Sequence, residues 1–452
     1  MDPFASALEQ AAAVRRRDVS ALELVNLYLD RIERHNSKLN AFWVLSGELA
    51  RDQAEEAGTG PLGGACATVK DVVPMAGYPL TMGARAFERR VGTVDHFVVG
   101  KMKEAGCPIL GRTTTSELGT RAVTEFGLHG ATRNPWDVGR IAGGSSGGAA
   151  AALAAGLCSW SHGIDGGGSV RVPAACCGLV GLKPSRGRIS MGPVGGEGWA
   201  GLATQGILTR TVEDAAAALD ALAGHLPGDP YWAEPEGSYL EAAGGRPSGL
   251  RVGVQLEAPG GVHPEIADLV CRAGNALEAC GCDVELCGPD TRPFEAAMLT
   301  AVAAGVASYD LPPHALHDPL NEAMTRRAAR VSAAGYVRIV AGIRDHSREV
   351  VSFWDDHDLL LTPTLTQPPH EIGHFGGDAE DVLRESLGWL HFTYPYNCTG
   401  QPAISLPLGT TADGLPLAVQ LVGAPRGETT MLGAAAQLQE CMPWNHRRPP
   451  DL

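Results

Sequence analysis

The chain has 452 residues, with 36 Lys and Arg against 51 Asp and Glu, a formal net charge of −15, 44% hydrophobic residues and 19% charged. These values describe a globular chain able to bury a full core and exclude a disordered or fibrous one, while the net negative charge argues against a nucleic-acid or anionic-membrane surface. Its 58 glycines are in excess at about 13%, and with no Gly-X-Y period they are not collagen-like.

Met1 to Ser6 show no basic segment leading into an apolar run, which predicts a chain without a secretory signal. Ser20 and Glu23 make a capping box ahead of Val25, Tyr28, Leu29 and Ile32 at helical spacing, so an amphipathic helix begins there. A short apolar strand at 67–69 leads into Lys70 and Asp71. A helix over 93–106 and a strand at 109–110 follow. Residues 139–201 then hold 18 of the glycines, interrupted by a helix over 147–157. The longest apolar run, 149–160, is too short to span a bilayer and reads as a buried helix. Thr211 and Asp214 cap a helix that runs to Leu222 and stops at Gly224.

Residues 225–248 read as a surface connection, 250–254 as a strand, 264–280 as a helix and 283–286 as a strand. Residues 293–356 are mostly helical with a Pro-rich break at 312–319, and a strand at 358–362 precedes a Gly/Pro/His loop at 363–378. Strands at 402–407 and 417–423 and a helix over 429–438 close the chain. Strands alternating with helices predict an α/β layered fold, and no repeat or long linker marks a domain boundary. The 11 cysteines, an odd number including adjacent Cys176 and Cys177, read as small buried hydrophobes in a reduced, cytoplasmic compartment.

Three motifs have ordinary explanations. His370, Glu371 and His374 match the H-E-x-x-H zinc pattern, which needs both histidines on one helical face; Pro368, Pro369, Gly373, Gly376 and Gly377 predict a loop instead. Gly196, Gly198 and Gly201 match G-x-G-x-x-G but lack the preceding strand and following acidic residue of a dinucleotide site. Cys280, Cys282 and Cys287 fit no C-x2-C pair and are expected to pack in the core.

Two serine-bearing glycine elements, 24 residues apart, carry the chemistry. The first is Gly143, Gly144, Ser145, Ser146, Gly147 and Gly148, directly before an Ala-rich helix. The second runs from Asp165 through Gly166, Gly167, Gly168 and Ser169 to Arg171 and Pro173. Three glycines before a serine let successive backbone N–H groups converge on one point, a nest suited to a developing oxyanion.

Taken in order with Lys70, these elements resemble the amidase signature family of serine hydrolases. Asn134 to Trp136, Cys177 to Pro184, Thr209 to Asp214, Asp358 to Pro363, Asn397 to Pro402 and Gly414 to Gly423 extend the similarity over nearly the whole chain. The resemblance implies a Ser–Ser–Lys triad: Ser169 as nucleophile, Ser145 as bridging serine after a cis peptide, and Lys70 as base. It also implies an oxyanion hole from the N–H groups of Gly166, Gly167, Gly168 and Ser169, with Ser146, Asp165 and Arg171 supporting the loop. A serine hydroxyl needs an adjacent proton acceptor, and a lysine serves only if burial keeps it neutral near pH 7. The implied architecture is one α/β domain over 1–452: a mixed, twisted sheet with helices on both faces, N-terminal helices over about 5–60 wrapping the core, and a helical lid over about 288–356. No cofactor or metal is implied.

Two positions depart from the family. Gly166 stands where Thr or Ile is frequent, which would loosen the oxyanion loop, and Ala149 replaces a frequent Ser, where only packing is affected. The leading reading is a stand-alone amidase acting on a small molecule, with carbamates, anilides and esters open to the same acyl chemistry. The glutaminase subunit of a tRNA-dependent amidotransferase, and a non-catalytic binding protein on the same scaffold, are the alternatives. Pocket walls are expected from 117–130, 190–202 and 293–350, with Glu117, Leu118, Gly119, Leu128, Trp199, Leu299 and Val302 as candidates. The expected partner is a small amide or related acyl substrate, with neither nucleic acid nor membrane; a homo-oligomer is left open.

Overall fold

A computed structural model describes residues 1–450, the side chain of His314 excepted; residues 451 and 452, the end of the domain read from the sequence, lie outside the described residues. Among the described residues thirteen strands alternate with fifteen helices. The first strands are β1 (Phe42–Leu45), β2 (Ala67–Lys70), β3 (Ile109–Thr113), β4 (Arg133–Asn134), β5 (Asp137–Ile141), β6 (Trp160–Asp165), β7 (Val180–Lys183) and β8 (Thr204–Thr209). The rest are β9 (Arg251–Val254), β10 (Asp283–Leu286), β11 (Leu359–Pro363), β12 (Ala403–Thr410) and β13 (Pro416–Gly423). The helices begin with α1 (Ala7–Arg16), α2 (Ala21–Leu39), α3 (Gly47–Glu55), α4 (Phe97–Glu104), α5 (Gly147–Ala154), α6 (Arg171–Cys177), α7 (Val212–Leu222) and α8 (Tyr239–Ala243). They continue with α9 (Pro264–Ala279), α10 (Phe294–Ala307), α11 (Pro319–Ala328), α12 (Ala333–Val351), α13 (Ala379–Trp389), α14 (Pro395–Thr399) and α15 (Glu428–Cys441).

Eleven strands form one sheet in the order β1-β3-β2-β6-β8-β7-β12-β13-β11-β9-β10, and β4 and β5 form a separate hairpin. The sheet is mixed. β3, β2 and β6 run parallel, as do β11, β9 and β10, while the strands between them pair antiparallel. Strand alternation divides the apolar side chains between two cores. Val69, Ile109, Ile207, Val252, Leu361 and Leu421 pack against α1, α4, α7, α8, α9 and α15. Leu110, Leu208, Leu360 and Val422 face α2, α5, α6 and α10–α13. This is a single α/β domain with helices on both faces, as the sequence predicts.

Local chemistry sets many boundaries. Ser20 and Glu23 form the reciprocal capping box of α2, and Thr211 caps α7 through the Asp214 N–H. Asp214 also accepts the N–H groups of Ala7 and Leu8, each at 2.9 Å, which ties the start of α1 to α7. The apolar run at 149–160 is not one helix. α5 ends at Ala154, Gly156 turns the chain with φ +65°, and β6 begins at Trp160. The stretch at 225–248 contains α8.

The cysteines also divide. Seven are buried, but Cys271 and Cys441 are exposed and Cys280 and Cys287 intermediate. Cys280 lies 3.6 Å from Cys441, and of the trio at 280–287 only Cys282 is a core residue. The reading of that trio as core packing is thus corrected, because β10 is the edge strand and its end meets solvent.

At the far end of the chain, Glu428 opens α15 and accepts from the Ser185 N–H and from Arg188 Nε and Nη2, at 2.9, 3.1 and 3.0 Å. Both side chains of the pair are fully buried. Burial would raise the Glu428 carboxyl, but Arg188 holds it below its ordinary value. Glu428→Ala strands the buried Arg188 and is expected to cost about 3–5 kcal/mol, read as a lower denaturant midpoint at neutral pH.

Candidate active site

Lys70 is the last residue of β2. Alternation sends Val69 into the core against α4 and α7, and Lys70 to the opposite face, toward the start of α5. Its Nζ donates to Ser145 Oγ at 2.7 Å. Burial lowers the amine from 10.5 to about 7, and the Asp165 carboxylate opposes this only in part. The chain just after Lys70 is fixed by Asp71, which accepts from Arg112 Nε and Nη2 at 3.1 and 2.9 Å and from the Thr81 hydroxyl.

Ser145 follows a cis Gly144–Ser145 peptide at the entry to α5. No side chain fits at Gly144, where an added Cβ would lie 2.5 Å from the Val123 backbone. Ala149, in the next turn of α5, is fully buried among apolar neighbours.

Ser169 lies in the loop joining β6 to α6, and its carbonyl accepts from the Ser146 N–H at 3.2 Å. Asp165, the last residue of β6, organises this loop from behind. It accepts from the Gly168 N–H at 2.8 Å, from the Val170 N–H at 3.1 Å, and from Arg171 Nε and Nη2 at 3.0 and 2.8 Å. Arg171 donates onward to the Thr393 carbonyl, Gln420 and Asn397. Burial would raise the Asp165 carboxyl, but the Arg171 guanidinium overrides it and holds the group well below the usual carboxylate range. Gly168 has φ +126°, and a Cβ there would meet Thr393 Oγ1 at 2.5 Å. Its N–H is committed to Asp165, so of the four expected oxyanion donors Gly168 is already spent.

Lys70, Ser145, Ser169 and Gly166 line one cavity of about 510 Å³, together with Leu118, Gly119 and Trp199. A smaller cavity of about 50 Å³ behind it shares Gly119, Ser169 and Trp199, and includes Leu299 and Val302 of α10. Two candidate wall residues lie elsewhere. Glu117 accepts from the N–H groups of His317 and Asp318 and from Asn321 Nδ2, at 3.0, 2.9 and 3.0 Å, so it fastens the start of α11. Leu128 lines neither cavity; its N–H donates to the Gly83 carbonyl.

Much of the larger cavity's wall comes from residues that no sequence motif marks: Leu80, Met82, Arg90, Val91, His96 and Tyr309. All but Tyr309 lie between β2 and the start of α4, in a stretch with no helical or alternating period, and that irregularity directly after Lys70 is the one signal the sequence holds for them. Burial lowers His96 to about 4 and His162 to about 3, so both are neutral at pH 7.

Trp199 accounts for Gly166. Its indole lies where a Cβ on Gly166 would stand, 2.5 Å from Cζ3, and where one on Gly305 of α10 would stand, 2.2 Å from Cδ1. The position expected to loosen the oxyanion loop is filled by a neighbouring ring. The two misleading motifs behave as loops. His370 and His374 stack face to face at 4.0 Å outside any helix, and Gly196 to Gly201 form a turn-rich segment.

A buried lysine on one serine and a second serine on a glycine loop thus line the same cavity. Residues 23–432 match the Amidase family. A 6-aminohexanoate-cyclic-dimer hydrolase from a Pseudomonas species is 38% identical over 99% of this chain and 97% of its own. The solved structure of 6-aminohexanoate cyclic dimer hydrolase complexed with substrate matches with a TM-score of 0.96 at 36% identity, covering 100% of this chain and 99% of that one. A glutamyl-tRNA(Gln) amidotransferase subunit from Thermotoga maritima matches with a TM-score of 0.84 at 28% identity, covering 99% and 98%. The chain belongs to the amidase signature family and is an amidohydrolase, an enzyme that cleaves amide carbon–nitrogen bonds.

The fit of Trp199 against Gly166 gives a double-mutant test. Gly166→Ala in the wild-type background is expected to cost about 1–3 kcal/mol by overpacking. In a Trp199→Ala background the same change should cost at least about 1 kcal/mol less, measured from denaturant midpoints. Strictly additive costs would show that the ring does not occupy that space.

Proposed function

We propose that this amidase hydrolyses uncharged, largely apolar small-molecule amides through a serine acyl-enzyme. The observation that carries this reading is the Lys70–Ser145 contact, made by a lysine that burial has brought to about 7. Such a lysine is neutral in a large fraction of molecules at pH 7 and takes a proton, which an ordinary surface lysine cannot.

In the proposed cycle Ser169 attacks the amide carbonyl carbon. Its proton passes to Ser145 as the Ser145 proton passes to Lys70. Negative charge collects on the carbonyl oxygen, where the N–H groups of Gly166, Gly167 and Ser169 stabilise it. Lys70 returns its proton through Ser145 to the leaving nitrogen, the C–N bond breaks, and an amine departs from the acyl-serine. Water repeats the sequence at the ester, giving a carboxylic acid and free Ser169. Arg171 and Asp165 hold the loop in place and do not react.

The cavity supports the substrate class. About 510 Å³ suits a small molecule, and Val72, Leu80, Met82, Leu118, Met191 and Trp199 offer an apolar wall. The similar hydrolase acts, by its name, on a cyclic dimer of 6-aminohexanoate, an amide with apolar chains. The stand-alone amidase is favoured over an amidotransferase subunit by the higher similarity to that hydrolase. Carbamates, anilides and esters remain accessible to the same acyl chemistry.

A panel of aliphatic and cyclic amides, anilides, carbamates, esters and glutamine tests the reading. Ser169→Ala should lose at least about 10³-fold in kcat/KM on every substrate turned over. Equal turnover by wild type and variant would remove Ser169 from the reaction. Glutamine as the preferred substrate would favour the amidotransferase alternative.

The pH profile gives a second check. The base acts when unprotonated, so kcat/KM should be maximal above about 7 and fall about tenfold per pH unit below it. Lys70→Arg keeps the charge at all accessible pH and should be inactive, with a lower denaturant midpoint because it buries a permanent charge without a counter-ion. An acid limb unchanged in position in a Lys70→Arg protein that retained activity would assign the limb to another group.

A further inference from the structure

At the sheet edge, away from both cavities, Glu285 of β10, Cys287 just beyond it and His357 just before β11 converge. One ligand atom from each lies within 4.8 Å of the other two. His357 Nε2 is 2.7 Å from Glu285 Oε1 and 3.2 Å from Cys287 Sγ. We propose that Glu285, Cys287 and His357 bind a divalent cation of zinc-like softness.

Two contacts hold His357 in one orientation. Its Nδ1 lies 3.1 Å from the Phe353 carbonyl, which can only accept, so Nδ1 carries the hydrogen. Phe353 also stacks on the imidazole, with ring centroids 4.0 Å apart and planes within 4°. A neutral ring held this way directs its Nε2 lone pair at a carboxylate oxygen, which also has only lone pairs to offer. Two acceptors at 2.7 Å require a positive centre between them, either a proton on Nε2 or a metal ion. Donation of the second imidazole nitrogen to a backbone carbonyl is the outer-shell pattern that fixes metal-binding histidines.

The third ligand favours the metal. A proton serves the His357–Glu285 pair and the thiol can donate to the same carboxylate, so what favours a metal is that three different donor types meet in one space. Gly253 makes room for that thiol: a Cβ there would stand 3.0 Å from Cys287 Sγ and 2.5 Å from Phe353 Cζ. Sulfur, nitrogen and oxygen together select a borderline-soft ion such as zinc over calcium or magnesium, which prefer all-oxygen shells. A thiolate, a carboxylate and a neutral imidazole carry two negative charges, which balance a divalent cation. On binding, the thiol proton and any imidazolium proton pass to solvent.

The fit needs little movement. Zinc–ligand bonds at the tetrahedral angle set ligand atoms roughly 3.3–3.6 Å apart. The observed 2.7 and 3.2 Å would open by about half an ångström, and the Glu285–Cys287 separation, within 4.8 Å, would settle into the same range through the 66% exposed Glu285 side chain. The same exposure lets the ion enter and leaves a fourth position to water.

The test uses the reduced, chelator-treated full chain, titrated with Co²⁺ and then with Zn²⁺. Wild type should bind one equivalent of Co²⁺ with a thiolate-to-cobalt charge-transfer band that Zn²⁺ abolishes. The band should vanish in Cys287→Ser and persist in Cys441→Ser, which controls for the neighbouring surface thiols. His357→Gln and Glu285→Gln should each weaken binding at least about tenfold. Amide hydrolysis and circular dichroism should be unchanged in all of these variants. A band that survives in Cys287→Ser, affinity unaltered in His357→Gln, or no stoichiometric binding by wild type overturns the proposal and leaves an imidazolium–carboxylate ion pair.

Discussion

The site depends on keeping an amine dry without giving it a counter-ion of its own. Lys70 ends β2 inside the sheet, and its one hydrogen-bond partner there is the Ser145 hydroxyl. A carboxylate in direct contact would hold the ammonium form and raise the lysine; burial unopposed would push it lower still. Asp165 does neither, because the Arg171 guanidinium, three backbone N–H groups and Asn397 have claimed both of its oxygens. What reaches Lys70 from Asp165 is a partial field, and the balance falls near 7. The arginine–aspartate pair thus serves twice: it shapes the loop carrying Ser169, and it stops Asp165 from acting as the lysine's partner.

The two faces of the sheet have divided tasks. One face is occupied by closely packed helices, among them α7, α9 and α15, and its ionic groups work as fasteners, Arg188 with Glu428 and Asp214 with the start of α1. The other carries α5, whose every residue is buried, so the glycine turn holding Ser145 starts from a helix with no solvent side. Against that fixed element, α10 and α11 complete the wall. Glu117 and Arg121 anchor α11 from the segment that also supplies Leu118 and Gly119 to the cavity. A residue expected in the pocket wall turns out to hold the wall up from behind.

The sequence made the chemistry more legible than the topology. Ser145 and Ser169 stand out because their neighbours are small, which is visible in a string of letters, and Lys70 stands out through the apolar strand before it and its order with the two serine elements. Capped helices were equally clear, as with Ser20 and Glu23 or Thr211 and Asp214, since the signal lies within one turn. β6 was hidden because an unbroken apolar run cannot separate a buried helix from a buried strand by period, and only Gly156 marks the change. β7 and β8, also buried along their whole length, lacked the alternation that would reveal them. The wall around Met82 and Val91 was illegible for the opposite reason, since an irregular segment carries no period at all. Cys287 is not core because β10 is an edge strand, and position in the sheet order is a long-range property that no local pattern carries.

Glycine serves this chain in two ways, as backbone freedom and as donated space. At Gly168 the backbone does need a conformation other residues rarely adopt. At Gly166 and Gly305 it does not; what those positions give up is volume, and Trp199 takes it from both sides. A β-branched residue at position 166 would brace the loop with its own side chain. Here the brace arrives from thirty-three residues away in sequence, as a large aromatic ring that is also part of the cavity wall. Loop support and pocket shape are therefore set by one side chain. A change at Trp199 alters the cavity wall and the packing behind the Gly166 loop together.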